Sequence, residues 1–225
     1  WMYYGNPAAA DAQSATNVWS ADFRAVWHMD ETSGTLVADS LGNWNGTATT
    51  AVTRDVDGPV NGADGYPAGT DDYTLLPSGE IVPVRSPFTF ESWLYLTTPS
   101  SHDRIFIQDL SGRNCQVVWS DDSMIQVSRN DGVSSYAAPI KRAIGASAGQ
   151  WFHFAWVFNG TSDTLYINGV AGSTYTSYTD TATGNGSNYI GTRVPGSAAF
   201  DGRLDEMRIS GVARSAAWIS AQYDS

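Results

Sequence analysis

Trp151-Phe-His-Phe-Ala-Trp-Val-Phe-Asn-Gly160 is followed almost at once by Asp163-Thr-Leu-Tyr-Ile-Asn-Gly-Val170. Each stretch is a run of aromatic and branched residues closed by Asn-Gly, the pair that most often turns one antiparallel strand into the next. The pattern continues through Ser187-Asn-Tyr-Ile-Gly-Thr192 and Phe200-Asp-Gly-Arg-Leu-Asp-Glu-Met-Arg-Ile209. Asn-Gly, Asp-Gly and Gly-rich turns therefore join successive antiparallel strands. Ser215-Ala-Ala-Trp-Ile-Ser-Ala-Gln-Tyr223 breaks the pattern. Ser215 suits an N-cap, and Trp218, Ile219 and Gln222 fall at helical spacing, which predicts a short C-terminal helix.

Upstream, Phe88 to Leu96 alternates cleanly, with Phe88, Phe90, Ser92, Leu94 and Leu96 on one face. Phe23 to Met29, Tyr73 to Leu76, Arg104 to Gln108, Cys115 to Trp119 and Met124 to Ser128 read as further strands. Asp39 to Gly46 and Asp57 to Gly69 read as polar loops. Many short strands punctuated by turn signals specify an all-β, two-sheet antiparallel β-sandwich of the jelly-roll kind. The 225 residues suffice for one such domain. Residues 23–225 are assigned to it. Residues 1–22, with an Ala-rich stretch after Trp1-Met-Tyr-Tyr-Gly-Asn-Pro7, are assigned to a linker or the tail of a preceding domain. The opening at Trp1 reads as a piece of a longer protein, and no signal peptide is visible.

The composition is 12% aromatic with nine Trp, and only 16% charged. It holds 19 Asp, 4 Glu, 11 Arg and a single lysine, Lys141, for a net charge of −11. Clustered cations for a phosphate backbone are lacking, which argues against nucleic acid. An acidic surface favours solubility and repels polyanionic glycans unless a cation bridges. No apolar run is long enough to span a membrane. Cys115 has no disulfide partner and alternates with Val117 and Trp119, which places it in the interior.

Taken in order, several segments resemble the laminin-G-like branch of the concanavalin A-like lectin/glucanase superfamily. They are Val26-Trp-His-Met-Asp-Glu31 with Gly34, Asp39-Ser-Leu-Gly-Asn43, Asp71-Asp-Tyr73, Phe88-Thr-Phe-Glu-Ser-Trp93, Trp151-Phe-His-Phe-Ala155, Leu165-Tyr-Ile-Asn-Gly169, Ile190-Gly191 and Phe200 to Ile209. The resemblance covers roughly residues 23–225. It implies a concanavalin A-like jelly roll, a structural calcium at one edge, and ligands that are glycans or other proteins. Tyr3-Tyr-Gly-Asn-Pro7 is similar to the end of a domain that precedes such sandwiches in secreted bacterial proteins.

Calcium takes six to eight oxygens from carboxylates, amides, main-chain carbonyls and water. The loop Asp39 to Gly46 offers one carboxylate and the amides of Asn43 and Asn45. The resemblance implies that Asp205 meets this loop, giving Asp39, Asn43, Asn45 and Asp205 as the expected ligand set. The residues alone leave another reading open, in which Asp39 caps a turn and Asp205 pairs with Arg208 or Arg203.

Retaining glycosidases need two carboxylates about 5–5.5 Å apart. Phe88 to Leu96 carries only Glu91, and Asp205 and Glu206 are adjacent and so point to opposite faces. Glu31 and Glu80 are isolated, and His28, His102 and His153 lie in no catalytic motif. No enzyme activity is expected.

Sugar contact calls for aromatic platforms beside planar polar groups. Trp44, Arg113, Asn114, Tyr175 and Tyr178 are the expected ligand contacts, and Arg129, Asn130 and Asp131 form another candidate turn. Alternation makes Trp27, Trp93, Trp151 and Trp156 interior candidates, with the strand entrance as the alternative for Trp151. The expected function is a calcium-stabilised, non-catalytic glycan-binding module of a secreted or surface multidomain bacterial protein. The partners are a polysaccharide or glycan and other domains of the same polypeptide. The alternative is an adhesion, protein-interaction or spacer module without a sugar site.

Overall fold

The computed structural model describes residues 18, 19, 21–67, 72–98, 103–109, 114–120, 124–129, 140–145, 148–176, 186–197 and 199–224. In chain order the first strands are β1 (Phe23–Trp27), β2 (Leu36–Val37), β3 (Gly46–Ala48), β4 (Thr53–Asp57), β5 (Gly62–Tyr66) and β6 (Thr74–Leu76). Next come β7 (Phe88–Leu96), β8 (Asp103–Asp109), β9 (Asn114–Ser120), β10 (Met124–Arg129) and β11 (Ile140–Ala143). The last are β12 (Trp151–Phe158), β13 (Ser162–Ile167), β14 (Val170–Thr176), β15 (Asn188–Ile190), β16 (Gly202–Ser210) and the helix α1 (Ala216–Tyr223).

The first sheet runs β14-β13-β12-β7-β16-β5-β4, with β1 also paired to β16. The second runs β11-β10-β9-β8-β15-β6-β3-β2. All of these pairings are antiparallel, so the expected two-sheet sandwich is what the chain forms.

Period-two alternation explains which side chains meet between the sheets. From the first sheet, Phe88, Phe90 and Leu94 of β7 and Phe152, Phe154 and Trp156 of β12 enter the core. From the second come Phe106, Cys115, Val117, Trp119, Ile125 and Val127. Phe90 and Phe106 meet across the core at 5.1 Å between ring centroids. Each such fully buried aromatic contributes about 1.5–3 kcal/mol. The Asn168-Gly169 hairpin between β13 and β14 has φ of 49° and 74° at its two central residues, the pair of positive values that a tight type I′ turn requires.

Three sequence expectations are corrected here. The stretch from Asp57 to Gly69, read as a loop, contains β5 beside the central strand β16. Gly62-Ala-Asp-Gly-Tyr66 lacks the bulky branched residues that announce a strand. It is small because space is short: a Cβ on Gly65 would sit 2.2 Å from Thr53 Oγ1. Trp27 and Trp156 are interior as expected, but Trp93 and Trp151 are half-buried on the outer face of the first sheet. Their neighbours Leu94 and Phe152 take the core positions. Arg129, read as part of an exposed turn, is buried on the inward face of β10. It donates to Val84 O (2.6 Å) and Asp163 Oδ2 (2.8 Å), and its guanidinium lies 3.7 Å from the centre of the Phe158 ring. It thereby ties the second sheet to β13 of the first.

The helix forms where expected, with Ser215 Oγ accepting the Trp218 amide hydrogen as its N-cap. Ile219 packs on Ala155, Val157 and Tyr166, laying α1 across the outer face of the first sheet. Trp19, from the segment assigned to a linker, packs edge-on against Phe23 at 5.0 Å and lies 5.6 Å from His28.

Candidate functional site

Of the expected calcium ligands, Asp39, Asn43 and Asn45 share one loop, while Asp205 is hydrogen-bonded to a different one. Asp39 follows β2 and bridges to Trp27 at the end of β1; its Oδ1 accepts the amide hydrogens of Val26 (2.9 Å) and Leu41 (3.1 Å). Its Oδ2 accepts those of Asn43 and Trp44, each at 3.0 Å. Asn45 Oδ1 in turn accepts from the Asp39 amide at 2.8 Å. Four N–H groups pointing at one carboxylate make Asp39 a turn-capping group, with its lone pairs already engaged. Asp205 lies on the outer face of β16 and bonds to a different loop: its Oδ2 accepts the Val60 amide hydrogen at 2.9 Å. It forms no ion pair with Arg203 or Arg208; Arg208 instead faces Glu91 at 3.4 Å.

Asp205 and the neighbouring Asp64 of β5 are both fully buried, and the Oδ1 of each lacks a hydrogen-bond partner. Burial pushes the Asp64 carboxyl up to about 8, partly opposed by Arg54, and pushes Asp205 up to about 7, partly opposed by the Val60 hydrogen bond. Arg54 bridges Asp64 Oδ2 (2.7 Å) and Glu31 Oε2 (2.6 Å). Glu206 follows at φ 49°, in a bulge that sends Met207 rather than Glu206 into the core. Simple alternation therefore fails at this point, and Glu206 Oε1 meets His28 Nδ1 at 2.6 Å. That bond holds His28 above its ordinary range. Among the described residues, no three His, Cys, Asp or Glu side chains form a group that could hold a metal ion.

The outer face of the first sheet carries a band of rings, two of which, Trp93 and Trp151, are interior candidates from the sequence. Cross-strand register sets Trp151 beside Tyr95 and Tyr95 beside Arg203. The Tyr95 and Trp151 centroids are 5.5 Å apart, and the Arg203 guanidinium lies 4.9 Å over the Tyr95 ring. Two residues along β7, Trp93 lies 5.7 Å from Tyr223 of α1 and 5.3 Å from His153. Trp93, Tyr95, Trp151 and Arg203 are all half-buried. The alternation of β7 already implied this, because Trp93 and Tyr95 are out of phase with Phe88 to Leu96.

The expected sugar contacts are dispersed. Trp44 is half-buried, packs on the main core and overlies Gly79. Tyr175 is exposed on the edge strand β14, and its hydroxyl donates to Lys141 O at 3.2 Å. Arg113, Tyr178, Asn130, Asp131 and His102 lie outside the described residues, and Asn114 is described only as the backbone opening β9. His153 is fully buried with neither ring nitrogen hydrogen-bonded, and burial pushes it down to about 4.

A family model described as the concanavalin A-like lectin/glucanases superfamily matches residues 68–220. The chain belongs to this superfamily. No curated protein matches it in sequence. Among solved structures, domain 4 of AbnA, an extracellular arabinanase from Geobacillus stearothermophilus held in complex with arabinotriose, superposes with a TM-score of 0.70 at 22% identity. That match covers 89% of this chain and 97% of the other. The binding domain of Paraclostridial Mosquitocidal Protein 1 gives 0.70 at 14% identity over 93% of this chain and 52% of that one. Trypanosoma rangeli sialidase gives 0.68 at 12% identity over 92% and 33%. This concanavalin A-like chain thus spans about half of the mosquitocidal binding domain and a third of the sialidase. At these identities the likeness establishes the shared fold.

Proposed function

We propose that this domain is a non-catalytic module that binds neutral glycans through the ring band on the outer face of its first sheet. The observation that carries the proposal is the Tyr95–Trp151 pair with Arg203 stacked beside it. Half-exposed rings offer a surface for the apolar face of a sugar, and the guanidinium edge offers donors for its hydroxyls. The net charge of −11 favours a neutral ligand over a polyanion. Membership of a lectin-containing superfamily supports this reading, as does the AbnA domain held with arabinotriose. The likeness to a domain of an extracellular enzyme supports a secreted or surface setting within a larger polypeptide.

Calcium, expected from the family, would find its unused oxygens on Asp64 and Asp205 rather than on Asp39. The two orphaned Oδ1 atoms fit a hard cation, with main-chain carbonyls and water completing its shell. Its work there would be structural, joining the turn at Val60 to β5 and β16.

The test is calorimetric titration with arabinotriose, xylohexaose and cellohexaose. Saturable binding by at least one, lost in Trp151→Ala and Tyr95→Ala variants that melt as the parent does, supports the reading. Binding by none supports the adhesion or spacer alternative. Binding unchanged in both variants moves the site elsewhere.

A further inference from the structure

On the other flank of α1 lies a cavity of about 460 Å³ lined by Val18, Trp19, Phe23, Arg208, Arg214, Trp218 and Gln222. Its walls are largely apolar, with three aromatic rings, yet its only charged lining groups are two arginines, in a chain whose net charge is −11. The Arg214 guanidinium is clamped between two rings, 4.8 Å from the Phe23 centroid and 4.4 Å from the Trp218 centroid. Nε of Arg214 donates to Ser210 Oγ at 3.2 Å and Nη1 reaches Asp22 Oδ2 at 3.4 Å, while Nη2 has no hydrogen-bond partner. Arg208, nine-tenths buried, spends Nη1 on Gln222 Oε1 (2.8 Å). Its Nε faces Glu91 only at 3.4 Å, without a hydrogen bond.

We infer that this cavity is a second binding site, built to take the carboxylate-bearing ring of an acidic sugar of the hexuronate class. A stacked guanidinium is held flat with its N–H edge fixed in direction, the arrangement that recognises a carboxylate bidentately. The long Arg214–Asp22 contact, to a carboxylate half exposed to water, marks the place where a ligand carboxylate would compete. Glu91 lies beneath the cavity, 3.4 Å from Arg208 Nε; burial pushes its carboxyl above the usual range, while Arg208 and Arg214 oppose that shift. Trp19, Phe23 and Trp218 supply the apolar surface for the ring itself, and the volume lies within the range of small-ligand sites. The charge of the whole chain opposes a long polyanion, so one terminal acidic residue is the fitting ligand rather than a polymer of them. That the ligand is a sugar rests on the glycan-binding reading; that it carries a carboxylate rests on the two arginines.

The experiment titrates D-glucuronate, D-galacturonate and D-glucose into the full chain, followed by tryptophan fluorescence, since Trp19 and Trp218 line the cavity. Saturable change with a uronate and none with glucose is expected. Arg214→Gln should weaken uronate binding by about tenfold or more, the loss of one charge-assisted hydrogen bond. Asp22→Asn should tighten it by removing the internal competitor, and this variant answers the question even if Arg214→Gln proves less stable. Tyr95→Ala and Trp151→Ala should leave uronate binding intact, so failure of the ring band and failure of this cavity are told apart. Equal response to glucose, no saturable uronate binding in the parent and Asp22→Asn alike, or affinity unmoved by Arg214→Gln overturns the inference.

Discussion

The amide of Val60 donates to Asp205 Oδ2 at 2.9 Å across 145 positions of sequence, pinning a turn to the middle of β16 while Asp205 Oδ1 stays buried and unpartnered. With Asp64, which shares that predicament, it makes stability depend on pH. Both carboxyls lie above their unfolded value of about 3.9, at about 8 for Asp64 and about 7 for Asp205. Groups raised in this way favour the folded state fully below about pH 4, and that advantage is lost as pH climbs through 7 and 8. His153, pushed down to about 4, acts in the opposite direction, costing stability as pH falls below about 6.5. Two carboxyls outweigh one imidazole, so without calcium these groups should make thermal stability greatest near pH 4 and lower it steadily towards pH 8. Asp64→Asn should flatten the alkaline limb. Added calcium should raise the midpoint more at pH 8 than at pH 5, and equal shifts at both would count against Asp64 and Asp205 as its ligands.

Asp39 makes a contrasting case. Its two oxygens accept four amide hydrogens, so Asp39→Ala should destabilise the fold by several hydrogen bonds, on the order of 2–4 kcal/mol. The variant should keep the calcium response of the parent. Urea unfolding with and without calcium measures both quantities, and a response abolished by Asp39→Ala would restore that residue to the metal.

Arg129 and Asp163 form an ion pair inside the core, and Asp163 also accepts the Trp156 indole hydrogen at 2.7 Å. Arg129→Met leaves Asp163 buried beside no cation and should cost about 3–5 kcal/mol in urea unfolding. A loss below about 1 kcal/mol would mean that the pair is solvated.

A methyl group on Gly58 would sit 2.5 Å from Gly62 O and 2.8 Å from Asp205 Oδ2. Gly58→Ala should therefore displace the turn and cost about 1–3 kcal/mol, measured as a lowered midpoint. The same change at Gly42, where no atom lies within 4 Å, meets no such contact, although its φ of 77° carries its own backbone strain.

Fold and site differed in how much of each the residues revealed. β7 was readable to its ends because Phe88 to Leu96 alternates and faces one core. The hairpin at Asn168-Gly169 was readable because its turn tolerates few other pairs. β5 was hidden: its glycines answer to Thr53 and β16, partners that no local pattern reveals. Asp39 was legible as a turn residue, but its four amide donors come from both β1 and the following loop. The ring band was legible in principle, since Trp93 and Tyr95 stand out of phase with the buried face. Trp93 is nevertheless counted as interior by alternation in the sequence, against the phase of the Phe88, Phe90, Leu94 and Leu96 face. The cavity beside α1 could not be read, because it brings Trp19 and Phe23 together with Arg208 and Trp218 from opposite ends of the domain.

Cys115, the only thiol in the chain, is packed among core side chains on β9. It is therefore a built-in clock. A thiol reagent can reach it only when the interior opens, so the rate of labelling reports how often the sandwich breathes, with no engineered probe added. Run with and without calcium, uronate or oligosaccharide, that one reaction would rank how firmly each holds the two sheets closed.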